Sequence, residues 1–251
     1  MKPAPVLRAD PPVSRDGARL RWSRFVPASD AEGPGRRAAL WLQGCDVRCP
    51  GCFNPHLWAH RGARLDDVAE VAASFAAEAV SAGSEGLTLL GGEPFDQAAA
   101  AAPVAEAFRA AGLTVMTFTG YTHAQLTGWA PARADIARLL EATDLLADGP
   151  YLRDQPDPDR PWIGSRNQGL RALTPAYRDA VQRIARGAGA RDRVEIRVRA
   201  DGRVDVNGWA DDAALEALLD DLGVRADAPA VVAAASSSTA AAAARRTELI
   251  G

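Results

Sequence analysis

Four short apolar runs, at residues 38–43, 87–90, 113–118 and 144–147, alternate with stretches whose apolar residues recur at helical spacing. Strand, helix, strand, helix in this order builds right-handed βαβ units, because a right-twisted strand feeding a helix packs back onto its sheet in only one hand. The runs therefore read as neighbouring strands of a parallel sheet. Helices are expected over residues 65–82 and 96–111, with a broken helical stretch over 122–141 interrupted by Pro131. Asp66 and Asp67 stand in the first turn of the first helix, where carboxylates favour helix formation. Parallel strands end on one rim, and ligands of such sheets gather there. The segments ending the four runs are Gly44-Cys45, Gly91-Gly92-Glu93-Pro94, Thr119-Gly120-Tyr121 and Asp148-Gly149-Pro150.

All three cysteines, Cys45, Cys49 and Cys52, fall in the loop after the first run as Cys-x3-Cys-x2-Cys. No further cysteine exists to pair with them, so a disulfide framework is not expected and the cytoplasm is the expected compartment. Three thiolates at this spacing address one metal centre and leave a coordination position for something else. A [4Fe-4S] cubane held by three cysteines keeps one iron open to a ligand, as a catalytic centre requires. The alternatives are a closed Cys3His zinc site completed by His56, and unligated core cysteines.

At 251 residues and a net charge of −3, the chain has one sizeable core and no large basic surface. Neither nucleic acid nor a membrane is an expected partner, and no apolar run reaches spanning length or follows a cationic start. Residues 1–20, rich in proline and charge, are expected to be poorly ordered. Residues 150–166 form a long polar loop of the kind that covers or binds ligands. Beyond it, Thr174-Pro175 marks a helix start, residues 194–198 and 204–206 a hairpin across Asp201-Gly202, and 213–222 a last helix. Residues 227–251 are an alanine- and serine-rich tail.

The loop from Gly44-Cys45 to Cys49-Pro50-Gly51-Cys52-Phe53-Asn54, with Trp58 behind it, resembles the cluster loop of radical S-adenosylmethionine (SAM) enzymes. Within that superfamily it is most similar to the activating proteins of anaerobic ribonucleotide reductases. The likeness continues through Gly91-Gly92-Glu93-Pro94, Thr119-Gly120-Tyr121, Asp148-Gly149-Pro150-Tyr151 and Trp162-Ile163-Gly164-Ser165-Arg166-Asn167-Gln168, spanning about residues 20–173. It implies an α/β fold, a partial (βα)6-type barrel with a parallel sheet. Residues 21–173 would be the core, and 174–226 a helix–hairpin–helix extension completing or flanking it. It further implies that Cys45, Cys49 and Cys52 hold the cluster, and that SAM chelates the open iron through its amino and carboxylate groups. Gly91 and Gly92 would let the backbone approach its methionine moiety, Glu93 would face its ammonium, Gly51 and Phe53 its adenine end, and Thr119 and Tyr121 its ribose. Asp148 remains either a site residue or a turn former.

Reductive cleavage of SAM would yield a 5′-deoxyadenosyl radical that takes hydrogen from an unreactive C–H bond. The implied partner is a glycyl radical enzyme, with flavodoxin or ferredoxin as electron donor. The compact activating proteins end near the equivalent of Leu173, so the added region keeps open an enzyme acting on a peptide or small molecule. A non-catalytic Cys3His zinc module is the third reading.

Overall fold

The computed structural model describes residues 9–189, 192–198, 204–208 and 217. Among the described residues seven strands form one sheet: β1 (Arg19–Ser29), β2 (Arg37–Leu42), β3 (Arg64–Asp67), β4 (Gly86–Gly91), β5 (Thr114–Thr119), β6 (Leu145–Asp148) and β7 (Gly169–Ala172). Their spatial order is β3-β1-β2-β4-β5-β6-β7. The four strands read from the sequence, β2, β4, β5 and β6, pair in parallel at the centre. β1 on one flank and β7 on the other run against the parallel centre, and β3 pairs antiparallel with β1 outside it. The architecture is thus α/β with a mixed sheet, and among the described residues the parallel part has four strands rather than six.

Helices α1 (Val68–Ser81), α2 (Ala98–Ala110), α3 (His123–Trp129), α4 (Ala134–Ala142) and α5 (Arg178–Ala185) complete the order, with α1 to α4 placed between the parallel strands. Alternation along the strands assigns two faces. Leu40, Leu42, Leu87, Leu89 and Val115 pack against Phe75, Ala105, Phe108 and Leu139 of the helices. Ala39, Trp41, Leu90, Met116 and Ala147 point to the other face. All six residues of β2 are buried, the burial expected of a strand covered on both sides.

Some expectations are corrected. Residues 9–20 are not loose: Trp129 Nε1 donates to Ala9 O at 3.2 Å, Ser14 Oγ to Asp135 Oδ2 at 3.2 Å, and Leu20 is fully buried in β1. β1 lies between β3 and β2 and buries Leu20, Trp22, Val26 and Ala28, an alternation broken by a shift of register after Trp22. The first helix begins at Val68, because residues 64–67 pair with β1 and Asp67 caps α1 by accepting from Ala69 N at 2.9 Å. Thr174 and Pro175 do open a helical turn, Pro175–Tyr177 before α5, but the Thr174 hydroxyl makes no cap bond and donates to Asp144 Oδ1 at 2.7 Å instead. The hairpin is present as β8 (Val194–Val198) and β9 (Val204–Gly208), while its turn, all of 213–222 except residue 217, and the tail lie outside the described residues.

Arg37, at the start of β2, is fully buried with no carboxylate in ion-pair range among the described residues. Its guanidinium donates to Thr88 Oγ1 at 3.0 Å, Tyr177 OH at 2.7 Å, Leu87 O at 2.6 Å and Thr114 O at 3.2 Å. One side chain so ties β2, β4 and β5 to the turn before α5. Arg37→Met keeps most of the volume but takes donors from several buried acceptors at once. A loss of about 3 kcal/mol or more is expected in urea unfolding, partly recovered by Arg37→Lys.

Candidate metal and cofactor site

Gly44 leaves β2 with φ of 105°, and the chain folds back on the short turn that follows the cysteines. Gly44 N donates to Leu57 O at 2.8 Å, Cys45 N to Trp58 O at 3.1 Å and Cys52 N to Cys49 O at 3.0 Å. Cys45 and Cys49 are buried and Cys52 half-buried. Burial, reinforced by the negative charge of Glu93, pushes the Cys49 thiol up to about 11 and the Cys45 thiol higher still. Left alone, these groups stay protonated; a cationic metal centre is what would deprotonate them.

The second rim segment is laced to the first. Gly92 N donates to Leu42 O and Glu93 N to Gly44 O, both at 2.8 Å. A Cβ on Gly92 would lie 2.3 Å from Gly44 O, and Gly91 takes φ of 98° with its missing Cβ against Trp41 and Leu42 backbone. The close approach served by both glycines is to the cysteine strand itself. The Glu93 carboxylate is 1% exposed and accepts from Phe95 N at 3.0 Å, Thr119 Oγ1 at 2.8 Å and Gly120 N at 2.7 Å. Three of its roughly four lone-pair positions are therefore in use, leaving one. Burial first, and then the neighbouring charge of Asp96, drive its carboxyl up to about 8 against those three donors.

Cys45, Cys49, Cys52, Phe53, Gly91, Gly92, Glu93 and Thr119 all line one cavity of about 240 Å³, open at its mouth. No lysine, arginine or histidine is among its described lining residues. Gly51 and Tyr121 are not among them either. Gly51, at φ of 89°, lies against the Arg153 guanidinium. Tyr121 is buried, its hydroxyl donating to Asp96 Oδ1 at 2.7 Å and its ring 5.2 Å from that of Trp129. Thr119 reaches the cavity, but its hydroxyl is spent on Glu93. Phe53 forms a wall with Tyr151, ring centroids 4.7 Å apart. Asp148 stays outside, accepting from His123 N at 2.8 Å and Arg171 Nε at 2.6 Å, which makes it a brace.

The donor set fits a cluster better than one zinc ion. His56 is exposed and does not line the cavity. Sulfurs around a tetrahedral zinc with bonds of about 2.3 Å lie about 3.8 Å apart. Among the described residues, the one group of three such ligand atoms within 4.8 Å of one another is Asp46, His60 and Asp96, not the cysteines. That trio went unforeseen, having no motif to mark it. His60 Nε2 sits 2.9 Å from Asp46 Oδ1, and Asp46 N donates to Asp96 Oδ2 at 2.7 Å, so it braces the cysteine loop from behind. Burial raises Asp46, but bonds from His60 and Arg15 outweigh it and hold the carboxyl at about 2.

The 150–166 loop is pinned. Arg160 binds Asp157 Oδ2 at 2.7 Å and Gln168 O at 2.9 Å, Gln168 Nε2 donates to Gly149 O at 2.9 Å, and Asn167 Nδ2 to Pro150 O at 2.7 Å. Trp162, Ile163 and Gly164 from this loop also line the cavity, as do Glu32, Asp192 and Gly208, which nothing in the sequence singled out. Burial drives Glu32 up to about 7, against the Gly208 amide and the Arg24 charge, with Glu195 adding to the rise. A carboxyl raised on folding stabilises the fold below its unfolded value of 4.5, and that contribution is lost as pH climbs through about 7. The melting midpoint of the apo protein is expected to fall between pH 5 and 8, and less steeply in Glu32→Gln.

Comparison with known proteins agrees with this geometry. Residues 31–171 match the family described as a 4Fe-4S single cluster domain. A Vibrio cholerae protein is 29% identical over 160 residues, covering 62% of this chain and 99% of its own length. Counterparts from Haemophilus influenzae (28% over 154 residues, 59% and 96%) and Escherichia coli (26% over 159 residues, 61% and 99%) are similar. All three carry the name anaerobic ribonucleoside-triphosphate reductase-activating protein. With its matched segment spanning more than half of its length, this chain belongs to the 4Fe-4S single cluster domain family.

Proposed function

We propose that this chain is a radical SAM activase that installs a glycyl radical on a partner enzyme of the anaerobic ribonucleotide reductase type. The observation carrying this reading is the cavity that joins three thiols of one loop to Gly91, Gly92 and Glu93. The names of the relatives support the partner. A [4Fe-4S] cluster with SAM on its open iron would supply the electron that cleaves SAM and the radical that takes hydrogen from the partner.

Cys45, Cys49 and Cys52 would hold the cluster. Glu93 would meet the SAM ammonium with its remaining lone pair, while Thr119 and Gly120 keep the carboxylate from turning away. Gly91 and Gly92 would act by holding the Glu93 turn against Gly44. Phe53 and Tyr151 would exclude water from the adenine end. Residues 21–173 would form the catalytic core, in the cytoplasm, with flavodoxin or ferredoxin as reductant. No helix among the described residues is long and apolar enough to cross a membrane.

A second reading, an enzyme acting on a peptide or small molecule, is favoured by one observation. Asp192 and Gly208 line the cavity although the family match ends at residue 171. Electron paramagnetic resonance of the reconstituted, reduced protein tests the shared core of both readings. A reduced-cluster signal reshaped by SAM supports it; a colourless protein carrying one zinc overturns it.

A further inference from the structure

The cavity has a second end. Glu32 O accepts from Thr88 Oγ1 at 2.7 Å, which places this residue beside Thr88, three positions before Gly91 in β4. At about 3.3 Å per strand residue, that is about 10 Å below the rim where the cysteines and Glu93 sit. The C-terminal hairpin closes this end. Gly208 N donates to Glu32 Oε1 at 3.0 Å, and Gly208 pairs with Val194, so Asp192 stands two residues from the same corner. Asp192 in turn accepts from Trp162 N at 2.8 Å, holding Trp162 at φ of 63°.

Both carboxylates face the cavity with an oxygen to spare. Glu32 is only 9% exposed, and among the described residues its Oε2 has no hydrogen-bond partner and no cation in ion-pair range. Asp192 uses one oxygen on the Trp162 amide. Burial raises both carboxyl groups, and at Glu32 the Arg24 charge and the Gly208 amide offset that rise only in part. Glu93 and the iron suffice for the charges of SAM, so these two groups are left without an occupant. We propose that the Glu32–Asp192 end of the cavity is the subsite for the hydrogen donor, and that it recognises an ammonium or guanidinium group on that donor. This rests on the radical SAM reading for the word donor; the cation subsite itself does not. Such a group reaches the site either on a small organic amine or on a basic side chain beside the reacting carbon of a peptide.

The test is calorimetric titration of the full-length protein without cofactors, using agmatine, butylurea as its uncharged counterpart, and the dipeptides Arg-Gly and Gly-Gly. Agmatine is expected to bind, butylurea not. Glu32→Gln and Asp192→Asn, which keep the acceptors for Gly208 and Trp162, are each expected to weaken agmatine about tenfold or more at an unchanged fold by circular dichroism. Stronger binding of agmatine than of Arg-Gly supports a small-molecule donor; preference for Arg-Gly over agmatine and Gly-Gly supports a protein donor. Equal binding of agmatine and butylurea, no agmatine binding, or unaltered affinity in both variants overturns the subsite. The SAM-induced change in the cluster signal is read separately. Its absence from a protein that still binds agmatine removes the radical SAM reading and leaves the cation subsite.

Discussion

Cys49→Ala is expected to abolish cluster assembly and SAM cleavage while leaving the fold standing. The thiol is buried at the cavity wall, and its neighbours Cys45 and Cys52 come from the same loop, whose path is set by backbone bonds to Leu57 and Trp58. Removing one sulfur therefore costs about 1 kcal/mol of packing. It also deprives a three-thiolate centre of a ligand that no described neighbour replaces: Asn54 and Trp58 offer no thiolate, and His56 is turned to solvent. Iron content and visible absorbance should fall to background with the circular dichroism spectrum unchanged. SAM cleavage persisting in this variant would sink the cluster assignment.

Gly92→Ala should cost nearly as much by a different route. The added methyl carbon would lie 2.3 Å from Gly44 O, so either the Glu93 turn or the exit of β2 must move. Movement breaks the Gly92 N–Leu42 O and Glu93 N–Gly44 O bonds together. Strain of this kind costs about 1–3 kcal/mol, within reach of a folded protein. The functional cost is larger, because Glu93 and Cys45 then lose their common reference. A loss of SAM affinity of 100-fold or more is expected by equilibrium dialysis, with iron loading also reduced. Gly92→Ala binding SAM normally would mean that the lacing has no bearing on the site.

The parallel centre of the fold was legible because β2, β4, β5 and β6 are covered on both faces and so read as short, mostly apolar runs. The cysteine loop and the Gly91-Gly92-Glu93 turn were legible because their chemistry is local in the chain. β1 was not: Leu20 and Trp22 alternate with arginines only as far as Arg21, and the register then shifts before Phe25 and Val26. The resemblance placed Tyr121 at the ribose, yet its ring turns into the core to meet Asp96 and Trp129. Glu32 and Asp192 were illegible for a topological reason. They come from a loop after an unseen strand and from a hairpin more than 150 residues away, and only the folded sheet brings them to one corner.

The lacing of the two rim segments also orders events during maturation. Cys45 is held by a loop whose shape depends on Gly92 and Glu93, and those residues arrive only after β2 has paired with β4 across α1. Pairing of distant parallel strands is slow beside helix formation, since the loop between them must close first. A nascent chain that has exposed Cys45, Cys49 and Cys52 but not yet delivered β4 presents three loose thiols and no receptacle. Cluster delivery is therefore expected to follow sheet closure.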